Sequence, residues 1–173
     1  MNFKEYEEKA ITTKCYADEV AIPYVVLGLC GEMGEFFEKL KEEAELRLTL
    51  KEVGDILWYI AAIRIELNLT PIEWPAPKKV TDADPLTVIS AMGAVAEQVK
   101  KYLRDDWKSG QSVELSETRK TVIHENLQKV LQCLTSLCKE EFDTDIESIA
   151  AYNIEKLADR ANRNQIHGQG DER

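Results

Sequence analysis

Apolar positions recur along this chain at intervals of three and four and nowhere alternate with a period of two. The pattern predicts helices and no strands. Phe3, Tyr6, Ala10, Thr13 and Ala17 share one face of a first helix, from Phe3 to about Glu19. Pro23 suits the first turn of a second helix, where its missing N–H is no loss, and that helix runs from about Tyr24 to about Leu46. Gly31 and Gly34 lie inside it, each costing about 1 kcal/mol against alanine, which points to close approach of another helix or of a substrate. A third helix is announced by Thr49 as N-cap. Glu52 completes a capping box, and Leu48 with Val53 forms the hydrophobic staple. Its apolar face passes through Val53, Ile56, Leu57, Ile60, Ile63, Ile65 and Leu67 to a stop at Asn68.

Residues 70–85, TPIEWPAPKKVTDADP, hold every proline but Pro23 and predict a surface connector. Two further helices are expected, from about Leu86 to Trp107 and from about Ser116 to Glu141. Ser109, Gly110 and Ser112 mark the loop between them. The last helix opens at Thr144, with Glu147 forming a second capping box, and runs to about Asn164. These elements make an all-α antiparallel bundle of about six helices. Residues 1–164 form one domain, within which 69–142 are a connector plus an inserted helical hairpin, and 165–173 are a flexible tail. The inserted hairpin echoes the first. AMGAVAEQVKKYLRDD, from Ala91, places Gly93 over Gly31 and Glu97 over Glu35, but Ala94 stands where Glu32 does. The helix after it offers His124, Glu125 and Gln128 and no matching acidic pair. The echo therefore has the packing role of a hairpin without metal ligands.

Two acidic pairs stand out against that pattern, Glu32 with Glu35 and Glu52 with Asp55, each spaced i,i+3 on one helix face. The chain between them is long enough to turn, so the two helices can lie antiparallel with both pairs facing inward. Four carboxylates meeting in a partly buried place repel one another, and burial makes each anion costlier. A divalent cation relieves this, and an all-oxygen set suits a hard ion, Mg²⁺ with Mn²⁺ as the substitute. The competing reading is a solvated acidic face, to which Glu7, Glu38, Glu42, Glu43 and Glu45 are assigned. Glu32 and Glu35 differ in being interleaved with Gly31, Met33 and Gly34, and Glu52 and Asp55 in leading into Ile56, Leu57, Trp58 and Tyr59.

Composition narrows the partner. A net charge of −10 argues against a nucleic-acid polymer, whose binders carry a basic footprint, but not against a single nucleotide. The charged N-terminus MNFKEYEEKA lacks an apolar h-region, so no signal peptide is expected, and no apolar run approaches a membrane span. Four cysteines without CxxC spacing and two histidines assemble no zinc site and suit buried thiols in a reducing cytoplasm. A ferritin-like di-iron site wants Glu-x-x-His motifs, which His124 and His167 do not supply.

Glu32-x-x-Glu35 followed after sixteen residues by Glu52-x-x-Asp55, with the flanks GEMGEFFEKL and LKEVGDILWYI, resembles the MazG-type all-α nucleoside triphosphate pyrophosphohydrolases. Asn153, Lys156, Leu157 and Arg160 match that family's N-x-x-K-L/F-x-x-R pattern, although alone they read as a solvated polar stripe. The resemblance covers about residues 1–69 and 143–163. In the compact family members the last helix follows the acidic hairpin after a short turn, whereas here some eighty residues intervene. The resemblance implies Mg²⁺ held by Glu32, Glu35, Glu52 and Asp55, and hydrolysis of a nucleoside triphosphate between the α- and β-phosphates. Lys156 and Arg160 would grip the phosphates, with Asn153 beside them. Glu35 or nearby Glu38 would take the proton of the attacking water. Trp58 is a candidate to stack on the base, against the commoner fate of a core tryptophan, with Tyr6 and Tyr59 as further candidates. It further implies a homodimer paired hairpin to hairpin, and a nucleotide-pool house-cleaning role. Two other readings stand: a dUTP- or dCTP-specific enzyme of the same superfamily (with phosphoribosyl-ATP a remoter substrate), and a non-catalytic helical interaction module.

Overall fold

A helix that is apolar on most of its circumference must be covered on most sides, and the segment around Asp55 meets that condition. The computed structural model describes residues 1–79, 85–107 and 114–163. Its helices are α1 (Phe3–Ala10), α2 (Ala21–Lys41), α3 (Leu46–Glu66), α4 (Pro85–Lys101), α5 (Glu117–Phe142) and α6 (Ile146–Asn162), with no strand among the described residues. α3 is the axis. It packs against α1, α2, α5 and α6, while α4 lies along α5 and touches α2. A single hydrophobic cluster takes side chains from all six helices, including Phe3, Leu29, Phe36, Ile56, Ile60, Val95, Ile123 and Ile149. Each such large side chain contributes roughly 1.5–3 kcal/mol when fully buried.

Several helix ends differ from the sequence reading. The first helix stops at Ala10 and gives way to short 3₁₀ turns at Ile11–Thr13 and Asp18–Val20. α2 begins at Ala21, with Pro23 still in its first turn, and ends at Lys41. α3 starts at Leu46 behind Glu45, so Thr49 is a buried residue inside the helix and caps nothing. The Thr49 N–H donates to the Glu45 carbonyl at 3.2 Å. With the start moved back by one turn, Glu52 is released from any capping box. α6 likewise starts at Ile146 behind Asp145, and the Thr144 hydroxyl donates to the Phe142 carbonyl, so the box with Glu147 does not form. Ser116, by contrast, does cap α5, accepting from the Arg119 N–H at 3.4 Å.

Asn68 does stop α3. It takes a left-handed backbone (φ 48°) while the Leu69 N–H reaches back to the Arg64 carbonyl at 2.9 Å. The same closure, with Glu43 at φ 51°, ends α2 and turns the chain back into α3 within four residues. Two helices of 21 residues joined so briefly and packed together run antiparallel.

The glycine reading is corrected as regards a packed helix. A Cβ at Gly31 or Gly34 would meet no atom within 4 Å, so no helix approaches there. The close approaches occur at Gly28, under the Tyr59 ring, and at Gly54, under Asn153. α4 and α5 form the second helix pair that the echo implied. In it Glu97 pairs with Lys100 and Lys101, and Gly93 faces open space. Glu7, assigned to a solvated face, is instead ion-paired with buried Arg64 at 2.6 Å. Arg64 also donates to the Thr70 carbonyl at 2.6 Å and lies 3.2 Å from His124 Nδ1, tying α1, α3, α5 and the start of the connector together.

The stretch Asp18–Lys41 is long and apolar enough to cross a membrane, against the expectation that no run approached that size. Its Val25, Val26, Leu29, Met33 and Phe36 are buried in the core of the bundle, where a core helix meets the same criterion. The expected loop residues Ser109, Gly110 and Ser112, part of the connector (80–84), His167 and the tail lie outside the described residues.

Candidate metal centre

The antiparallel α2–α3 hairpin brings residues from its two arms into register, and the register decides which acids meet. Carboxylate oxygens of Glu32, Glu52 and Asp55 all lie within 4.8 Å of one another. At that separation two unit charges repel by about 3–4 kcal/mol at an effective dielectric near 20, so the group has to be neutralised. The structure contains three neutralising features. Lys39, on the same face of α2 two turns beyond Glu32, donates to Glu52, which is only 2% exposed. Lys156 of α6 donates to both oxygens of Asp55, at 2.6 and 2.8 Å. Glu32 itself favours its protonated form. Burial first, then the Asp55 charge, a hydrogen bond shared with Glu52 and the charges of Glu52 and Glu35 push its carboxyl up to about 8.

Glu35 is therefore close enough for its charge to act on Glu32, but it is exposed and outside the three-carboxylate cluster. The sequence predicted four converging acids, and three converge. Glu35 lies three residues past Glu32, where rotation along α2 carries it outward while Glu32 stays toward α3. Glu38 is a further turn out and exposed.

Behind the carboxylates the site is held by α6 and α1. Asn153, 1% exposed, donates from Nδ2 to Asp55 Oδ1 at 3.1 Å and accepts from the Tyr6 hydroxyl at 3.0 Å. Arg160, two turns further along α6, is buried as well. The polar stripe of α6 is thus turned inward and not solvated. Trp58 is a core tryptophan. It is 8% exposed, and its Nε1 donates to the Ala10 carbonyl at 2.9 Å and to Thr13 Oγ1 at 3.0 Å. The ring wedges α3 against the first helix and offers no free face for a base.

One turn from the acids lies a tyrosine shelf. Tyr59 follows Asp55 by four residues and Gly28 precedes Glu32 by four, so the ring packs where an added Cβ would come within 2.2 Å of it. Burial first, then Tyr24, Glu32 and Asp55 nearby, raise the Tyr59 hydroxyl far above its usual range, so it stays protonated. Tyr24 stacks on Tyr16 at 4.8 Å, and Tyr16 donates to Glu66 at 2.9 Å. Sequence reasoning missed Lys39, Gly28, Gly54 and the linkage of Tyr6 to Asn153. Lys39 had a signal, since it repeats Glu32 at i+7. The Tyr6 linkage spans 147 positions and had none.

The donor set is three carboxylates, all oxygen, which fits a hard divalent cation. Glu32, Glu52 and Asp55 form a part-buried cluster that can hold a metal ion. A cation held there would have to displace the Glu32 proton and compete with the two lysines for the carboxylates. No protein-family model matches this chain, and neither a curated protein nor a solved structure does.

Proposed function

We propose that this protein is a Mg²⁺-dependent nucleoside triphosphate pyrophosphohydrolase. The observation that carries the reading is the convergence, around Asp55, of Glu32 and Glu52 from the hairpin with Asn153 and Lys156 from α6. These are residues of both motifs through which the sequence resembles the MazG-type enzymes, and they stand 101 positions apart at the Lys156–Asp55 pair. Bound by the three carboxylates, Mg²⁺ would neutralise triphosphate charge and draw electron density from the α-phosphorus.

The chain's own residues divide the remaining work. Lys156 and Lys39 already point their ammonium groups at the cluster, where a triphosphate competes with Asp55 and Glu52 for them. Arg160, on the same helix, adds a forked donor set suited to phosphate oxygens. Glu35, exposed beside Glu32, is the better placed acceptor for the proton of the attacking water, ahead of Glu38. Water adds to the α-phosphorus, the bond to the bridging oxygen breaks, and pyrophosphate leaves with a nucleoside monophosphate. Tyr24 and Tyr59, not Trp58, form the wall available to the base.

The test is product analysis on a panel of NTPs and dNTPs with Mg²⁺, for wild type and Glu35→Gln. Monophosphate plus pyrophosphate, depending on Mg²⁺ and lost in the variant, is expected. Orthophosphate as first product places cleavage at another bond and removes the reading. Absence of turnover on every nucleotide by folded protein favours a non-catalytic helical module.

A further inference from the structure

Asp55 reaches the cluster from a helix whose next residue inward, Gly54, carries no side chain. Asn153 fills that space: a Cβ on Gly54 would lie 3.0 Å from Asn153 Nδ2 and 3.1 Å from its Cβ. The carboxamide could face Asp55 with either end, and its hydrogen bonds decide which. An ionised carboxylate accepts only, so the amide nitrogen must face Asp55 Oδ1, 3.1 Å away. The amide oxygen then points the other way and needs a donor. Tyr6 supplies it with its hydroxyl at 3.0 Å. Tyr6 is fully buried on α1, and burial followed by the Asp55 charge raises its hydroxyl well above the usual range, so the proton stays on.

On this geometry we infer that Tyr6 is a positioning residue of the metal centre, acting through Asn153 to orient Asp55. The inference rests on the metal-dependent reading above. Removing the hydroxyl leaves the buried amide oxygen without that donor. The carboxamide then keeps only its bond to Asp55 and loses the second point that fixed its orientation, so it holds the carboxylate less firmly in the direction the cluster needs. Partners of ligating carboxylates typically change metal affinity by 10–100-fold when mutated. Tyr6 also has core neighbours, Phe3 at 6.1 Å and Trp74 at 5.8 Å between ring centroids, and phenylalanine preserves those contacts.

The experiment is calorimetric titration of Mg²⁺ into wild type, Tyr6→Phe, Gly54→Ala and Ile123→Val, with thermal melts in EDTA alongside. Ile123 is buried on α5 and belongs to no part of the site. Tyr6→Phe should bind Mg²⁺ about tenfold more weakly. Gly54→Ala presses on the same carboxamide from the other side and should shift affinity in the same direction, even if Tyr6→Phe fails to fold. Ile123→Val should lower the melting temperature and leave affinity unchanged. Folded Tyr6→Phe and Gly54→Ala that both bind within twofold of wild type overturn the inference. So does equal weakening in Ile123→Val, which would reduce the effect to stability. A wild-type chain that binds no divalent cation overturns the metal reading itself, and this inference with it.

Discussion

Replacing Lys156 by methionine tests the electrostatics of the centre most directly. The ammonium sits 2.6 and 2.8 Å from the two oxygens of Asp55, with the lysine side chain 9% and the aspartate 24% exposed. Opposite charges about 3 Å apart attract by roughly 5 kcal/mol at an effective dielectric near 20. Residual solvent around Asp55 and the regained freedom of the long side chain offset part of that, leaving a net loss of about 2–3 kcal/mol. Methionine keeps most of the aliphatic packing, so the loss is chiefly one of charge. For a chain of this size it corresponds to a melting temperature about 5–10 °C lower in EDTA. Mg²⁺ should then restore the variant more than it stabilises wild type, because the cation no longer competes with the lysine for Asp55. The comparison is made at one Mg²⁺ concentration for both proteins. A concentration a hundred times the wild-type dissociation constant contributes about 2.7 kcal/mol to wild type and more to a tighter-binding variant. The assay is differential scanning calorimetry of wild type, Lys156→Met, Asp55→Asn and the double variant, in EDTA and in Mg²⁺. The double variant should recover at least half of the summed losses, since neither partner is left charged and alone. A Lys156→Met protein melting within about 1 °C of wild type in EDTA refutes the reasoning. A Mg²⁺-induced gain no larger than that of wild type does so equally.

Other outcomes follow from the same geometry. Trp58→Phe removes the N–H shared by Ala10 and Thr13 and leaves a void, so stability should fall by about 2–3 kcal/mol in urea titration. Its KM for nucleotide should stay within twofold of wild type, and a large rise would return Trp58 to the base site. Gly28→Ala drives a Cβ into the Tyr59 ring and must displace it. If the tyrosines face the base, KM rises severalfold with little change in kcat. His124 accepts from Arg64 through Nδ1, and burial first and the Arg64 charge second hold its pKa below the usual value. The unfolded chain therefore binds the proton more readily. Stability is full above about pH 6.5 and is lost as the pH falls toward the lowered native value. Glu32, held up at about 8, gives the opposite trend over the same range in any background. The check is therefore the difference between wild type and His124→Gln, a neutral acceptor. In chemical denaturation from about pH 7.5 to 5 the wild type should lose stability relative to the variant.

Much of this molecule was legible because its information is local. The apolar spacing within Val53–Leu67 depends on nothing outside the segment, and Asn68 stops that helix through its own tolerance of a left-handed backbone. Glu32, Glu52 and Asp55 were legible for the same reason, since i,i+3 geometry and a short turn between two helices already constrain where their side chains meet. Capping was less legible. Thr49 and Thr144 carry good capping chemistry, yet burial of α3 and the packing of Ile146 drew the helix ends elsewhere. A cap contributes about 1 kcal/mol, less than the burial of one large side chain.

The rest was decided by contacts between distant parts of the chain. Glu35 has the same spacing credentials as Glu32, and only the rotation of α2 against α3 leaves it outside the cluster. The glycines at 31 and 34 drew notice by rarity, whereas those at 28 and 54 matter by what lies above them, Tyr59 and Asn153. Trp58 became a core residue because the Ala10 carbonyl and Thr13 hydroxyl, 48 and 45 positions away, fold over its N–H. The sequence by itself determined the helices and the acids on their faces, which arise from periodicity within one element. The tertiary structure alone decided which acid is buried, which lysine neutralises it and which tyrosine stands behind it, because burial and charge pairing depend on every helix packed around α3.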